Sequence, residues 1–199
     1  MILKSKKIVT ICFAILLVMF PSSASLENGL EGYWKFNSGS GDIAVDSAGE
    51  DENGSISGAS WVSAKYDLGL SFDGNGDYVS IGDWNVFDGS SAVSVSTWIK
   101  PNSLSYSDDG HFSNHAQLIG KQGQNSDDNY ELALLNTGEV GVYVDNGNGA
   151  TITGGSIQTG KWYHIVSTYG DGNLELYVNG NRVASTSLSG SLVSNSHPL

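Results

Sequence analysis

The chain has 199 residues, nine of them Lys or Arg and 21 Asp or Glu, for a formal net charge of −12. A surface this acidic repels nucleic acid and anionic membrane, which excludes both as partners. With 26 glycines, three prolines and one cysteine, the composition also excludes a disulfide framework and favours turns and short extended segments.

At the N-terminus, Lys4, Lys6 and Lys7 precede an apolar run over residues 8–20, and Pro21-Ser22-Ser23-Ala24-Ser25 follows it. A cationic start, an apolar run too short to span about 30 Å of hydrocarbon, and a small-residue exit describe a secretory signal peptide over residues 1–25. Ser22 and Ala24 meet the small-x-small cleavage rule; an uncleaved anchor is the alternative. Cys12 lies inside the run and reads as apolar filler. Taking three of the nine basic residues away leaves six against 21 acids, a net −15, and no cysteine. The expected product is secreted or cell-surface, with no membrane insertion after cleavage. Residues 26–199 are long enough for one domain with a core of its own.

Beyond the leader, short alternating segments separated by Gly, Asn, Asp and Ser predict strands. They cover residues 30–36, 57–62, 68–72, 78–81, 93–100, 117–121, 130–135, 140–144, 150–152, 162–169, 174–178 and 182–185. Val93, Val95, Thr97 and Ile99 alternate with Ser94, Ser96, Trp98 and Lys100; Trp162, His164, Val166 and Thr168 alternate with Tyr163, Ile165, Ser167 and Tyr169. Apolar or aromatic groups on both faces predict central strands of stacked sheets. Trp34, Trp98 and Trp162 are therefore expected in the core, while Trp84 and Tyr78, near a turn, are expected at the surface. Asn179-Gly180 suits the two positive-φ positions of a type I′ turn and is the strongest hairpin signal in the chain. Residues 187–199 are polar and turn-like with no further strand, which predicts an open edge or an uncovered apolar face. The expected fold class is all-β: an antiparallel β-sandwich lacking its last one or two strands, part of a longer chain with other domains.

Four stretches carry a family resemblance: Gly32-Tyr33-Trp34-Lys35-Phe36; Leu70-Ser71-Phe72-Asp73-Gly74 with Asp77-Tyr78-Val79; Val95-Ser96-Thr97-Trp98-Ile99-Lys100-Pro101; and Gly160-Lys161-Trp162-Tyr163-His164-Ile165-Val166 with Leu176-Tyr177-Val178-Asn179-Gly180. In this order and spacing they resemble the laminin-G-like jelly roll of the concanavalin A-like lectin/glucanase group. The resemblance implies a non-catalytic binding module, for carbohydrate or for adhesion, with a polysaccharide, a glycan or an extracellular protein as partner. The alternative it leaves is a structural or protein-interaction module of a larger surface protein, and after that an accessory or degenerate glycoside hydrolase.

Catalysis on such a sandwich calls for two carboxylates projecting together from one strand, as in Glu-x-Asp-x-x-Glu. Glu131 and Glu175 each stand alone on their strands, so no enzyme is expected. Residues 102–115 form an unusually long connection, and loops of that length tend to carry function. Tyr106, Asp109, His111 and Phe112 within it are the candidate ligand-binding residues, since sugars take ring faces and polar partners together. Calcium is the candidate cofactor. Asp128-Asn129, closing the oxygen-rich segment 122–129, resembles the Asp-Asn pair that pentraxins place on calcium, and the two are the candidate metal residues. The acidic clusters at 73–77 and 46–53 read as a hairpin turn and a solvated loop.

Overall fold

The computed structural model of the chain describes residues 9–12, 29–49, 51–106, 108–109, 111–121 and 128–199. The strands in order are β1 (Val9–Cys12), β2 (Ile43–Ala44), β3 (Gly54–Ser57), β4 (Ser60–Ser63), β5 (Leu68–Phe72), β6 (Tyr78–Ser80), β7 (Val93–Pro101) and β8 (Asp108–Asp109). They continue with β9 (Ser113–Lys121), β10 (Tyr130–Leu135), β11 (Val140–Val144), β12 (Ala150–Gly154), β13 (Tyr163–Gly170), β14 (Asn173–Val178) and β15 (Asn181–Ser187). Seven form one sheet in the order β15-β14-β13-β7-β1-β5-β4, five a second in the order β12-β11-β10-β9-β8, and three a small sheet β2-β3-β6. Every pairing is antiparallel. The all-β antiparallel sandwich is the architecture the alternation predicts.

The core lies between the two large sheets. From the seven-stranded sheet come Leu70, Phe72, Val95, Ile99, Ile165, Leu174 and Leu176; from the five-stranded sheet come Leu118, Tyr130, Leu132, Leu134, Val140, Val142 and Val144, all in one cluster. Each Leu, Ile or Phe buried this way contributes about 1.5–3 kcal/mol. β7 and β13 bury every second residue and leave the alternate ones half-exposed. β10 and β11 are buried along their whole length, because the outer side of their sheet is covered. Phe112 lies on it, and a Cβ at Gly141 would stand 2.6 Å from the Phe112 ring.

Local chemistry explains the joints. Asn179 (φ 51) and Gly180 (φ 78) make the two-residue turn between β14 and β15, as positive φ at both positions requires. Gly58 (φ 77) breaks the expected strand 57–62 into β3 and β4, and a Cβ there would meet Asp77 Oδ1 at 2.0 Å. The expected strand 30–36 is absent as a strand: Trp34 makes an isolated bridge with Asp46. Its neighbour Phe36 (φ 51) is out of the extended region, which stops the ladder from growing.

Three tryptophan expectations reverse. Trp84 is buried and packs edge-on against Trp34, centroids 5.5 Å apart at 85°, with Lys121 Nζ donating to its carbonyl at 3.1 Å. Trp98 and Trp162 are half-exposed, because the odd-numbered residues of β7 and β13 already fill the core side. The polar tail is also less loose than its composition predicts. Leu192 and Leu199 are buried, and Leu199 exchanges backbone hydrogen bonds with Gly82 and Ile81 at 2.9 and 2.8 Å. The sheet position beside β7 is taken by β1, from the segment read as a leader.

Candidate functional site

The outer face of the seven-stranded sheet carries the more open group. Antiparallel pairing sets His164 directly opposite Trp98, and their rings stack with centroids 5.0 Å apart at 23°. His164 Nε2 and Ser96 Oγ are hydrogen-bonded at 2.7 Å. Burial holds the His164 imidazole below the usual histidine range, so the ring is neutral at pH 7 and serves Trp98 as an aromatic neighbour. Tyr66, from the turn between β4 and β5, is 55% exposed and meets Trp98 edge-on at 5.7 Å and 84°. Lys65 Nζ hangs over both rings, 4.7 Å from the Trp98 centroid and 5.6 Å from that of Tyr66. The result is a two-ring corner with an ammonium above it and a hydroxyl–imidazole pair beside it. Chemically it offers ring faces for C–H groups and donors for oxygens, which is what a sugar needs.

The long connection 102–112 is built differently. Tyr106 is 5% exposed and its hydroxyl donates to Ser103 O at 2.6 Å. Phe112 is buried in a small cluster with Ala133, Leu135 and Tyr143. Both rings are buried, Tyr106 in the main core cluster and Phe112 against β10 and β11. His111 is the more accessible member. Its ring stacks on Tyr143, centroids 3.2 Å apart at 24°, and its Nδ1 lies 3.3 Å from Asp128 Oδ2. Burial, and then the negative charges of Asp145 and Asp128, push the Tyr143 hydroxyl up, so it stays protonated. The side chain of Asp109 lies outside the described residues, as do residues 122–127. The structure thus joins His111 to Asp128 and keeps Phe112 edge-on to His111, ring centroids 6.3 Å apart.

Asp128 and Asn129 are both buried. Asn129 Nδ2 donates to Asp88 Oδ1 at 3.1 Å and to Val193 O, while its Oδ1 has no hydrogen-bond partner among the described residues. The positive charge in this neighbourhood is Lys121, fully buried, with Nζ 3.0 Å from Asp83 Oδ1 and 3.4 Å from Asp88 Oδ1. Calcium takes about six to eight oxygens. Asp128 Oδ2 already faces His111 at 3.3 Å, and the described residues contain no group of three or more His, Cys, Asp or Glu side chains that would hold a metal. The other acidic clusters are consumed by turns: Asp77 Oδ2 accepts from the Asp73 amide at 2.7 Å, and Asp46 Oδ1 from the Tyr33 and Ala48 amides at 2.8 and 2.9 Å.

Glu131, the lone acid of β10, is fully buried with Oε1 2.6 Å from His115 Nε2, beneath Phe112 (ring 6.1 Å from that of His115). Sequence reasoning missed Lys65, Tyr66, Trp98 and His164 as a group. The signal was there in part: Ser94, Ser96 and Lys100 share a face with Trp98, and that face is the more polar of the two.

The concanavalin A-like lectin/glucanases superfamily matches residues 73–199. Among solved structures, domains LG4-5 of the mouse laminin alpha1 chain align with 56% of this chain at 21% identity and a TM-score of 0.39. The alignment covers 31% of that chain. No curated protein matches. No helix among the described residues is long and apolar enough to cross a membrane.

Proposed function

The chain belongs to the concanavalin A-like lectin/glucanases superfamily, in its laminin-G form, and from that premise we propose that it is a secreted, non-catalytic carbohydrate-binding module. Domains of this kind are binding or adhesion modules in general, directed at extracellular proteins or glycans. The sugar sits in the corner of Tyr66 and Trp98, its apolar face on the exposed Tyr66 ring and its oxygens toward Lys65 and Ser96. The observation that carries this reading is the exposed Tyr66 ring held edge-on to Trp98 beneath one ammonium. Against catalysis stands Glu131, buried on His115, where a retaining glycosidase needs two accessible carboxyls about 5–5.5 Å apart. Export is supported by the leader pattern of residues 1–25.

A neutral and acidic glycan array, read with and without chelator, tests the reading. Tyr66→Ala is expected to abolish the signal. An array empty for the intact protein favours the second reading, a protein-interaction module, while an array signal untouched by Tyr66→Ala moves the site elsewhere. Calcium assistance rests on Asp128 and Asn129 alone, so loss of binding in chelator should be reproduced by Asp128→Asn.

A further inference from the structure

The aromatic corner is continued across its own sheet. Residues opposite one another in an antiparallel pair point to the same face, and the register carries one row of side chains over four strands: Ser96 on β7, Val166 on β13, Tyr177 on β14 and Arg182 on β15. His164, opposite Trp98, is two residues from Val166, so the row lies on the face that bears the corner. Tyr177 is half-buried, and its hydroxyl donates to Glu175 Oε2 at 2.7 Å. Arg182 Nη1 donates to Glu175 Oε1 at 2.5 Å. Both carboxylate oxygens are thus taken, and the Tyr177 ring is tied along its strand. Arg182, its side chain 56% exposed, keeps further N–H donors for an incoming acceptor. The meeting of Tyr177 with Arg182 depends on an irregularity. Leu176 pairs with Ala184, so a regular ladder would set Tyr177 against Val183; the register shift after Leu176 sets it against Arg182 instead. Bulges re-aim side chains in this way and are over-represented beside working sites. Between Trp98 and Tyr177 the surface is low, formed by the half-buried Ser96 and Val166. β14 lies two strand spacings from β7, and Tyr177 lies two residues along from the level of Trp98, which puts the two about 12 Å apart. That exceeds one sugar ring and suits a short linear chain.

We propose that Tyr177, held by Glu175 and Arg182, is a second sugar subsite, and that the ligand is a linear oligosaccharide crossing β7, β13 and β14 rather than a single terminal sugar. The inference rests on the sugar reading of the Tyr66–Trp98 corner, with which the row is continuous. One unit sits in the corner, and the chain passes over Ser96 and Val166. A later unit lays its C–H face on the Tyr177 ring, with a hydroxyl accepting from Arg182. The two contacts are linked through one chain, so added units raise affinity until the second ring is reached and little thereafter.

The test is titration calorimetry of the full chain with glucose, xylose, mannose and galacturonate oligomers, each from disaccharide to hexasaccharide. In a series that binds, affinity is expected to rise at least tenfold from disaccharide to hexasaccharide. Tyr177→Ala should remove that gain and bring the hexasaccharide down to the disaccharide level, whereas Tyr66→Ala should abolish binding at both lengths. Tyr177→Phe keeps the ring and should keep most of the gain, which separates a lost platform from a lost fold. Equal affinity for short and long oligomers, an undiminished gain in Tyr177→Ala, or the same loss in Tyr177→Ala and Tyr177→Phe would overturn the second subsite and leave the corner standing. Binding of no oligomer in any series would remove the sugar reading itself, and this inference with it.

Discussion

Trp98 on β7 and His164 on β13 face each other across one ladder and stack with ring centroids 5.0 Å apart. The pair lies on the solvent side of a sheet whose other side is fully committed to the core. That placement separates the aromatic residues that hold the core from those that face solvent.

Trp34 and Trp98 should therefore respond very differently to truncation. Trp34 is 1% exposed, and its Nε1 donates to Glu52 O at 2.7 Å. Trp34→Ala is expected to cost about 3–5 kcal/mol, whereas Trp98→Ala should cost about 1 kcal/mol, in the range of partly exposed sites. Urea unfolding at constant m-value reads both. Equal losses would mean that the outer aromatic face is part of the core.

Acid should weaken the fold through His164. Its folded-state pKa lies below the unfolded value because burial penalises the charged ring, so the unfolded chain binds the extra proton first. The stability contribution is complete above the unfolded pKa of about 6.5 and is lost as pH falls through the interval down to the folded value. Comparing the pH dependence of Tm for wild type and His164→Gln isolates it from the other histidines. A His164→Gln profile as steep as wild type between pH 7 and 5 would refute the assignment.

Lys121 holds a buried charge network together. Its ammonium lies against Asp83, the Trp84 carbonyl and Asp88, and Asp83 is the partly exposed partner. Lys121→Ala leaves Asp88 without its cation and should cost about 3 kcal/mol. The measurement is chemical denaturation. A length-matched Lys121→Met variant that restores most of the stability would show that packing, and not charge, is the larger contribution.

Gly141 is where the long loop touches the five-stranded sheet. A Cβ at this position falls 2.6 Å from Phe112, so Gly141→Ala should push the ring off and cost about 1–3 kcal/mol. Limited proteolysis should then cut within residues 102–112 faster than in wild type. Unchanged cleavage would show that Phe112 is not what holds the loop down.

Much of the fold was legible from local pattern. β5, β10 and β11 begin and end where alternation and turn residues place them, and Asn179-Gly180 makes its hairpin because few other pairs take positive φ twice at low cost. The site was legible only in part. Period two divides a strand into two faces but cannot say which one stays wet when both carry apolar residues, and so Trp98 and Trp84 changed places. Tyr106 and Phe112 read as candidate ligand-binding rings on a long connection, yet both are buried.

By itself, then, the sequence determined the sandwich, its hairpins and the acidic character of the chain, because these follow from contacts between near neighbours and from composition. Only the tertiary structure decided that Lys65, Tyr66, Trp98 and His164 form one corner, that Lys121 is buried among Asp83 and Asp88, and that Val9–Cys12 lies between β5 and β7. Each of these joins residues from different strands or turns, and which of them meet depends on sheet order and on what the opposite face already fills.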